Sequence, residues 1–398
     1  MKNLSIWLPP FSPDYSGAAS VMFDFNALTA MHDAAGCTGN YTGYDEPRWY
    51  NSEKNILCSG MREMDAVLGD DSILTDKMLA AIKSLNPELT ALVGTPVPML
   101  IGTDLKGLAK ELEAASGIPS IGIETTGTSY YDRGIFITWK ELIDKFARSD
   151  SAVTEKSVNI IGANPIDFVL YENMESLQAI LKDAGYTVNF CAMQKLSTKD
   201  VQNLYAAQAN IAVSQSGFLI ADYLYKKQKQ PFIAGYPVGE AEIAGFIREL
   251  QTVCTERENR VWGAEPEDGP SGSASILLAG EQIFCNSLRH ALKHQYHITG
   301  IETGCVFGFY ERIVQKGDTE LRDEGEIKKH INDPRFKIIA ADPFFKKLIK
   351  HRDNLDFMEM PHFGISSKFY RKDARQFIGK GGDDILTDFC TKIGRVQQ

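Results

Sequence analysis

The sequence predicts an α/β protein in which three parallel-sheet units follow one another along the chain. Short apolar runs alternate with helix-length amphipathic segments from Asn55 onward, the pattern of parallel sheets covered on both faces. The alternation recurs in three blocks, and strands such as the run Val158-Asn159-Ile160-Ile161 stop at a glycine turn, here Gly162. At 398 residues the chain exceeds the usual size of one hydrophobic core, so two or three domains are expected, each able to bury a large apolar interior.

Taken in order, a buried strand at 55–57 opens the first block. A helix at 73–85, a strand at 89–93, a helix at 100–115, a strand at 119–123 and a helix at 135–148 follow. The second block opens with the strand at 158–162 and continues with a helix at 174–184 and a strand at 187–191. A helix at 198–208, a strand at 210–213 and helices at 218–226 and 240–253 complete it. The third repeats the start, with a strand at 274–279, a helix at 282–293, a strand at 300–306, a strand at 337–341 and a helix at 344–350. The segment 256–273, containing GAEPEDGPSGS, is the best boundary candidate, and 149–156 is a weaker one. The expected domains are therefore 1–150, 151–255 and 256–398.

Composition narrows the function class. Charged residues make up 24% and hydrophobic ones 43% of the chain, without low-complexity tracts, so a globular protein is expected. A net charge of -10 argues against a nucleic-acid groove, which needs clustered Lys and Arg. The first residues carry an apolar run cut by Pro9 and Pro10, too short for the core of a signal peptide. No stretch is apolar for the eighteen residues a membrane span needs. Seven scattered cysteines form no disulfide framework and fit a reducing cytoplasm.

The stretch 35–71 stands out because Cys37 and Cys58 flank a charged, aromatic loop. Cys37 sits in a turn of small residues where a thiol is exposed and backbone can approach a large ligand. Cys58 ends a strand. Two such thiols can meet and bind iron or zinc as thiolates, or can pack as small hydrophobes. In parallel sheets ligands gather at the carboxyl ends of strands. The residues to watch there include Glu124, 162–164, Ser214, Gly280-Glu281 and Asp342. His290 and His294, four apart, could share a metal, although their surroundings read as a solvated helix face. The chain has no P-loop, no G-x-G-x-x-G fingerprint and no H-E-x-x-H motif.

Residues 89–127 resemble the component 1 family of nitrogenase-like reductases. In that family a strand runs into a Thr-Cys-Pro turn, an Ile-Gly-Asp-Asp-Ile segment opens a helix, and a later strand ends in a threonine and glycine turn. Pro96, Ile101-Gly102, Asp104 and Gly127 match. Ser16-Gly17-Ala18 with Gly36-Cys37 is similar to the N-terminal cluster segments, and Glu63, Asp65, Val67 and Gly69-Asp70 to an acidic stretch leading to a glycine turn. The segment from Ala209-Asn210-Ile211 through Pro231, then Gly239, is similar to the middle portion.

The resemblance implies three Rossmann-like parallel-sheet domains around a central cleft. It also implies a homodimer, or a heterodimer with a paralogous subunit, that accepts electrons from a separate ATP-dependent iron-sulfur reductase protein. Neither a nucleic acid nor a membrane is an expected partner. The implied reaction is reduction of a hard substrate such as a tetrapyrrole double bond or a carbon-sulfur bond. The alternative is a non-catalytic metallocluster or tetrapyrrole scaffold of the same fold. Of the cluster ligands, only Cys37 matches. Cys58 lies where relatives carry Ser or Thr, Ser12 or Pro13 stands at the first ligand position, and Thr95 stands in the Thr-Cys-Pro turn. Cys37 and Cys58 are the expected ligands of a [4Fe-4S] cluster shared between two subunits, since two thiolates per chain make four. Val213 or Ser214 falls where nitrogenases carry their cofactor cysteine, so no molybdenum cofactor is expected. His362, Ser214 and Glu124 are the expected walls of a substrate pocket. Arg48, Trp49 and Tyr50, in the acidic loop beside Cys37, are the expected anchors of a docking surface.

Overall fold

A computed structural model describes residues 5–52, 54–264 and 275–396. The first unit contributes strands β1 (Ala27–Met31), β2 (Asn55–Cys58), β3 (Leu89–Val93) and β4 (Ser120–Ile123), paired in the order β2-β1-β3-β4. The second contributes β5 (Thr154–Ile161), β6 (Thr187–Cys191), β7 (Ala207–Ala212), β8 (Phe232–Ala234) and β9 (Arg260–Val261), ordered β6-β5-β7-β8-β9. The third contributes β10 (Ile276–Gly280), β11 (Ile301–Cys305), β12 (Asp318–Glu320), β13 (Ile338–Ala341) and β14 (Asp356–Glu359), ordered β12-β11-β10-β13-β14. Every pairing between these strands is parallel.

In each sheet the unit's first strand lies inside, with the second strand on one side and a later one on the other. The chain therefore reverses its direction of sheet building at β1/β3, β5/β7 and β10/β13. At such a reversal the loops leaving the carboxyl ends diverge and open a crevice, so three crevices are built into this topology.

The central strands β1, β3 and β10 are buried along their whole length because both faces are covered. In the first sheet Leu28, Ala30 and Leu92 pack with Leu74, Met78, Leu105 and Leu112. Their neighbours Ala27, Met31, Leu89 and Val93 face the opposite way, as the two-residue side-chain period requires, and join a cluster that runs through all three units. The three sheets thus share one continuous apolar interior. Two glycines make its closest helix contact: a Cβ at Gly17 would lie 2.0 Å from the Tyr131 carbonyl oxygen, and one at Gly134 would lie 1.7 Å from that of Asp14. The helices Asp14–Met22 and Tyr131–Phe146 can approach only because both positions lack a side chain.

The structure departs from expectation in several elements. The helix expected at 100–115 is two, Pro96–Ile101 and Leu105–Ser116; Gly102 at φ +77° ends the first, and the Asp104 carboxylate, accepting from Gly107 N–H, starts the second. The helix expected at 198–208 stops at Gln202, because from Ala207 the chain pairs with β5. The segment 344–350 forms a 3-10 helix over Pro343–Leu348. The boundary loop expected at 256–273 lies partly outside the described residues, as does the start of the strand expected at 274. Among the described residues no helix is long and apolar enough to cross a membrane.

Candidate functional site

The two thiols lie near one another beyond the carboxyl ends of β1 and β2. Met31 of β1 is opposite Cys58 of β2. Immediately after β1 the Asp33 carboxylate accepts the backbone N–H groups of Ala35 and Thr38, both at 3.0 Å. This holds Ala35 at φ +132°, a conformation a non-glycine residue adopts only under such constraint. The turn launches the helix Gly36–Asn40, which carries Cys37. Cys58 Sγ lies 3.4 Å from the Asp33 carbonyl oxygen, to which it can donate, and accepts from Gly60 N–H at 3.3 Å. Both thiols are free and partly exposed. Burial pushes the Cys37 thiol up, Asp33 and Cys58 add to that, and the Tyr15 hydroxyl bonded to it works the other way. A thiolate here stands among negative groups, a situation that a bound cation relieves.

The other positions matched to cluster ligands are closed by hydrogen bonds. The buried Thr95 hydroxyl donates to the His32 carbonyl oxygen at 2.6 Å, and the Ser12 hydroxyl to Asp45 at 3.0 Å. One chain therefore offers two thiols, and they fit half of a [4Fe-4S] ligand set.

A second site opens between the carboxyl ends of the second and third sheets. It is a small cavity of about 70 Å³, walled by Asp167, Val213, Tyr236, Glu281, Cys285 and His362 among others. Gly364 N–H points at His362 Nδ1 from 3.1 Å, which leaves the imidazole proton on Nε2, 3.1 Å from Asp167 Oδ1. The Tyr131 hydroxyl donates to the same oxygen, and Asn164 Nδ2 donates to the other. Glu281 caps the helix Gln282–Tyr296, accepting from Phe284 N–H at 2.6 Å, while its other oxygen accepts from Gln215 N–H at 2.6 Å. Burial, with the Asp167 charge second, pushes the Glu281 carboxyl up, while the backbone N–H groups it accepts from work the other way. Asp132, next to Tyr131 and bonded to the Tyr310 hydroxyl, is pushed up to about 7, again chiefly by burial.

A larger cleft, about 580 Å³, lies between the N-terminal segment, the turn after β4 and the loop and helix start at 322–327. Its volume is in the range of ligand pockets. Aromatic rings join it to the cavity: Phe11 and Tyr130 line the cleft, both meet Phe307 (5.6 and 6.0 Å between centroids), and Phe307 lies 4.5 Å from the His362 ring. Tyr15 links the cleft to the thiols. It touches Cys37 on one side, and on the other a Cβ at Gly127, on the cleft wall, would lie 3.4 Å from its ring.

Of the expected pocket residues, only His362 lines the cavity. Ser214 is wholly buried as a helix cap, donating to the Gly162 carbonyl oxygen and accepting from Gly217 N–H, beside the lining residue Val213. Glu124 stands apart on the surface, 3.2 Å from Lys106. In the expected docking loop, the Arg48 guanidinium is engaged with Asp24 and Glu46 above the Phe23 ring. Trp49 packs against Tyr41, and Tyr50 is 69% exposed. Tyr131, Asp167 and Asp132 carry no sequence signal. Glu281 carries one, its place at a strand end.

Residues 13–267 match the family described as nitrogenase component 1 type oxidoreductase. A subunit of the light-independent protochlorophyllide reductase of Jannaschia sp. (strain CCS1) is 24% identical over 288 residues, 69% of this chain and 54% of that protein. The corresponding protein of Pinus koraiensis is 26% identical over 209 residues, 50% of this chain and 39% of the relative. The chain thus spans about half the length, or less, of these curated relatives. A solved structure described as nitrogenase Cp1 at pH 6.5 superposes with a TM-score of 0.71 at 15% identity, over 100% of this chain and 94% of that one, and so shares the fold. The family match takes in the two thiols and the first two sheets, and the fold match extends to the third: this chain belongs to the nitrogenase component 1-type oxidoreductase family.

Proposed function

We propose that this chain is the electron-accepting subunit of a two-component reductase, with Cys37 and Cys58 holding half of a [4Fe-4S] cluster completed by a second copy or a paralogous subunit. The observation that carries the reading is the nearness of these two thiols, one on the helix that follows β1 and one at the end of β2. When bound, the cluster supplies single electrons. An apolar surface beside it supports a second chain as its cover: the helices Glu63–Leu68 and Pro96–Ile101, which follow β2 and β3, leave Met64, Val67, Leu68 and Leu100 at least 62% exposed. Apolar area of this kind marks an interaction site.

Electrons come in this reading from a separate ATP-dependent iron-sulfur protein, docking near Tyr50, with Arg48 and Trp49 bracing the loop from within. The substrate enters the large cleft, and its aromatic floor suits a planar, conjugated molecule. The relatives' name, protochlorophyllide reductase, makes a tetrapyrrole double bond the first candidate. Adding two electrons across such a bond takes up two protons. Burial raises the Glu281 and Asp132 carboxyl groups toward their protonated forms, and the Tyr131–Asp167–His362 network holds the imidazole N–H at His362 Nε2. No residue at Val213 or Ser214 offers a thiol, so a molybdenum cofactor has no ligand there. Seven free thiols suit a reducing cytoplasm.

The test is a pull-down, without oxygen, with candidate iron-sulfur ATPases from the same cell. Association should tighten with a non-hydrolysable ATP analogue and weaken on Tyr50→Ala. Failure of every such ATPase to bind would move the reading to a cluster- or tetrapyrrole-binding scaffold.

A further inference from the structure

We infer that Glu242, His290 and His294 form a zinc site that fastens the second sheet unit to the third. Glu242 ends the short turn after Gly239 and opens the helix Ile243–Glu256 behind the second sheet. The two histidines sit one helical turn apart on Gln282–Tyr296, the helix that follows β10 of the third sheet. Their ligand-capable atoms all lie within 4.8 Å of one another. His294 Nδ1 is 2.8 Å from Glu242 Oε1, and His290 Nε2 is 3.1 Å from Oε2. In a tetrahedral zinc site with bonds of about 2.0–2.1 Å, neighbouring ligand atoms stand about 3.3 Å apart. Small side-chain rotations therefore convert the present geometry into three ligands.

The site is held ready by its surroundings. The Glu242 carboxylate is 1% exposed and also accepts from Gln295 Nε2 at 3.1 Å. A buried carboxylate facing two imidazoles is the donor set of open zinc sites. The Trp262 ring presses on His290 with centroids 4.7 Å apart, and the two imidazole planes are parallel within 6°. The His294 side chain is 67% exposed, so a fourth position faces solvent and takes water. On binding, each imidazole keeps its proton on the nitrogen turned away from Glu242. The helix carrying the histidines, with its capping residue Glu281, also presents Cys285 and Leu288 to the cavity described above, so a cation here fixes one wall of that cavity. The zinc site rests on no part of the proposed electron-transfer role.

The experiment uses full-length, metal-stripped protein with Cys37→Ser and Cys58→Ser, which removes competition from those thiols, and titrates Zn2+ by calorimetry and Co2+ by absorbance. One Zn2+ per chain, a raised Tm, and cobalt d–d bands without thiolate charge transfer are expected. Loss of one outer-sphere partner weakens a metal site 10–100-fold, so His294→Ala, which loses a ligand, should bind about 100-fold more weakly or worse. The variant also loses the 2.8 Å hydrogen bond to the buried Glu242 carboxylate, so its metal-free Tm and circular dichroism are measured to show that it is folded when binding is read. His290→Ala should lose binding similarly. A parent that binds no Zn2+, or a His294→Ala chain that binds it as tightly as the parent, overturns the assignment.

Discussion

Asp132 offers the most direct reading of how burial stores a proton beside the cavity. Its side chain is buried, its Oδ2 accepts from the Tyr310 hydroxyl, and its Oδ1 has no hydrogen-bond partner among the described residues. Desolvation lifts the carboxyl from the ordinary 3.8 to about 7. A raised carboxyl pKa means the folded state binds the proton more tightly than the unfolded chain does. The residue's favourable contribution is thus complete below about pH 4 and is lost as the pH climbs to about 7. At 1.36 kcal/mol per unit, a shift of about three units amounts to about 4 kcal/mol of stability lost across that window. Asp132→Asn keeps an oxygen for Tyr310 and cannot ionise. Urea unfolding of both proteins at half-unit steps from pH 5 to 8.5, followed by tryptophan fluorescence, isolates the residue because the other groups titrate in both. The variant should gain on the parent by about 1.4 kcal/mol per pH unit up to about pH 7, then level off. A difference that stays constant over the range would mean that Asp132 is ionised throughout, and the proton store would be refuted.

The buried Arg289 guanidinium pairs with Asp318 at 2.7 Å; Arg289→Ala leaves that carboxylate uncompensated and should cost about 3–5 kcal/mol in chemical denaturation. Arg48→Ala strands the buried Asp24 and Glu46 and should destabilise by a similar amount, whereas Tyr50→Ala should stay within about 0.5 kcal/mol. Equal effects of the two would show that Arg48 is not the internal brace described here. Gly134→Ala drives a methyl into the Asp14 carbonyl oxygen and should lose about 1–3 kcal/mol or more; an unchanged Tm would contradict the close helix contact.

What the sequence reveals of this fold depends on the kind of strand. Leu89–Val93 and Thr187–Cys191 are legible because β-branched and leucine residues stand between turn signals. β1 escapes a reading of the sequence, although it is an inner strand, because Ala-Leu-Thr-Ala-Met lacks the Val and Ile content by which strands are recognised. Asp14–Met22 escapes it because its serines and Gly17 are poor helix formers; the Gly134 contact, invisible in sequence, is what they serve. At the thiols, sequence reasoning singles out Cys37 and Cys58 because both lie in one short stretch. The proton network is beyond it. His362 and Asp167 are 195 positions apart, and only the convergence of strand ends from two sheets brings them into contact. The same holds for Glu242, without which His290 and His294 read as a solvated face.

The central claim is that two thiols from each of two chains share one cluster. Protein purified without oxygen should be a dimer carrying about four iron and four acid-labile sulfide, about two per chain. It should show a visible charge-transfer band, and both iron and band should vanish on Cys37→Ser or Cys58→Ser. A colourless, iron-free protein, or one whose iron content is unchanged by Cys37→Ser, would contradict the account.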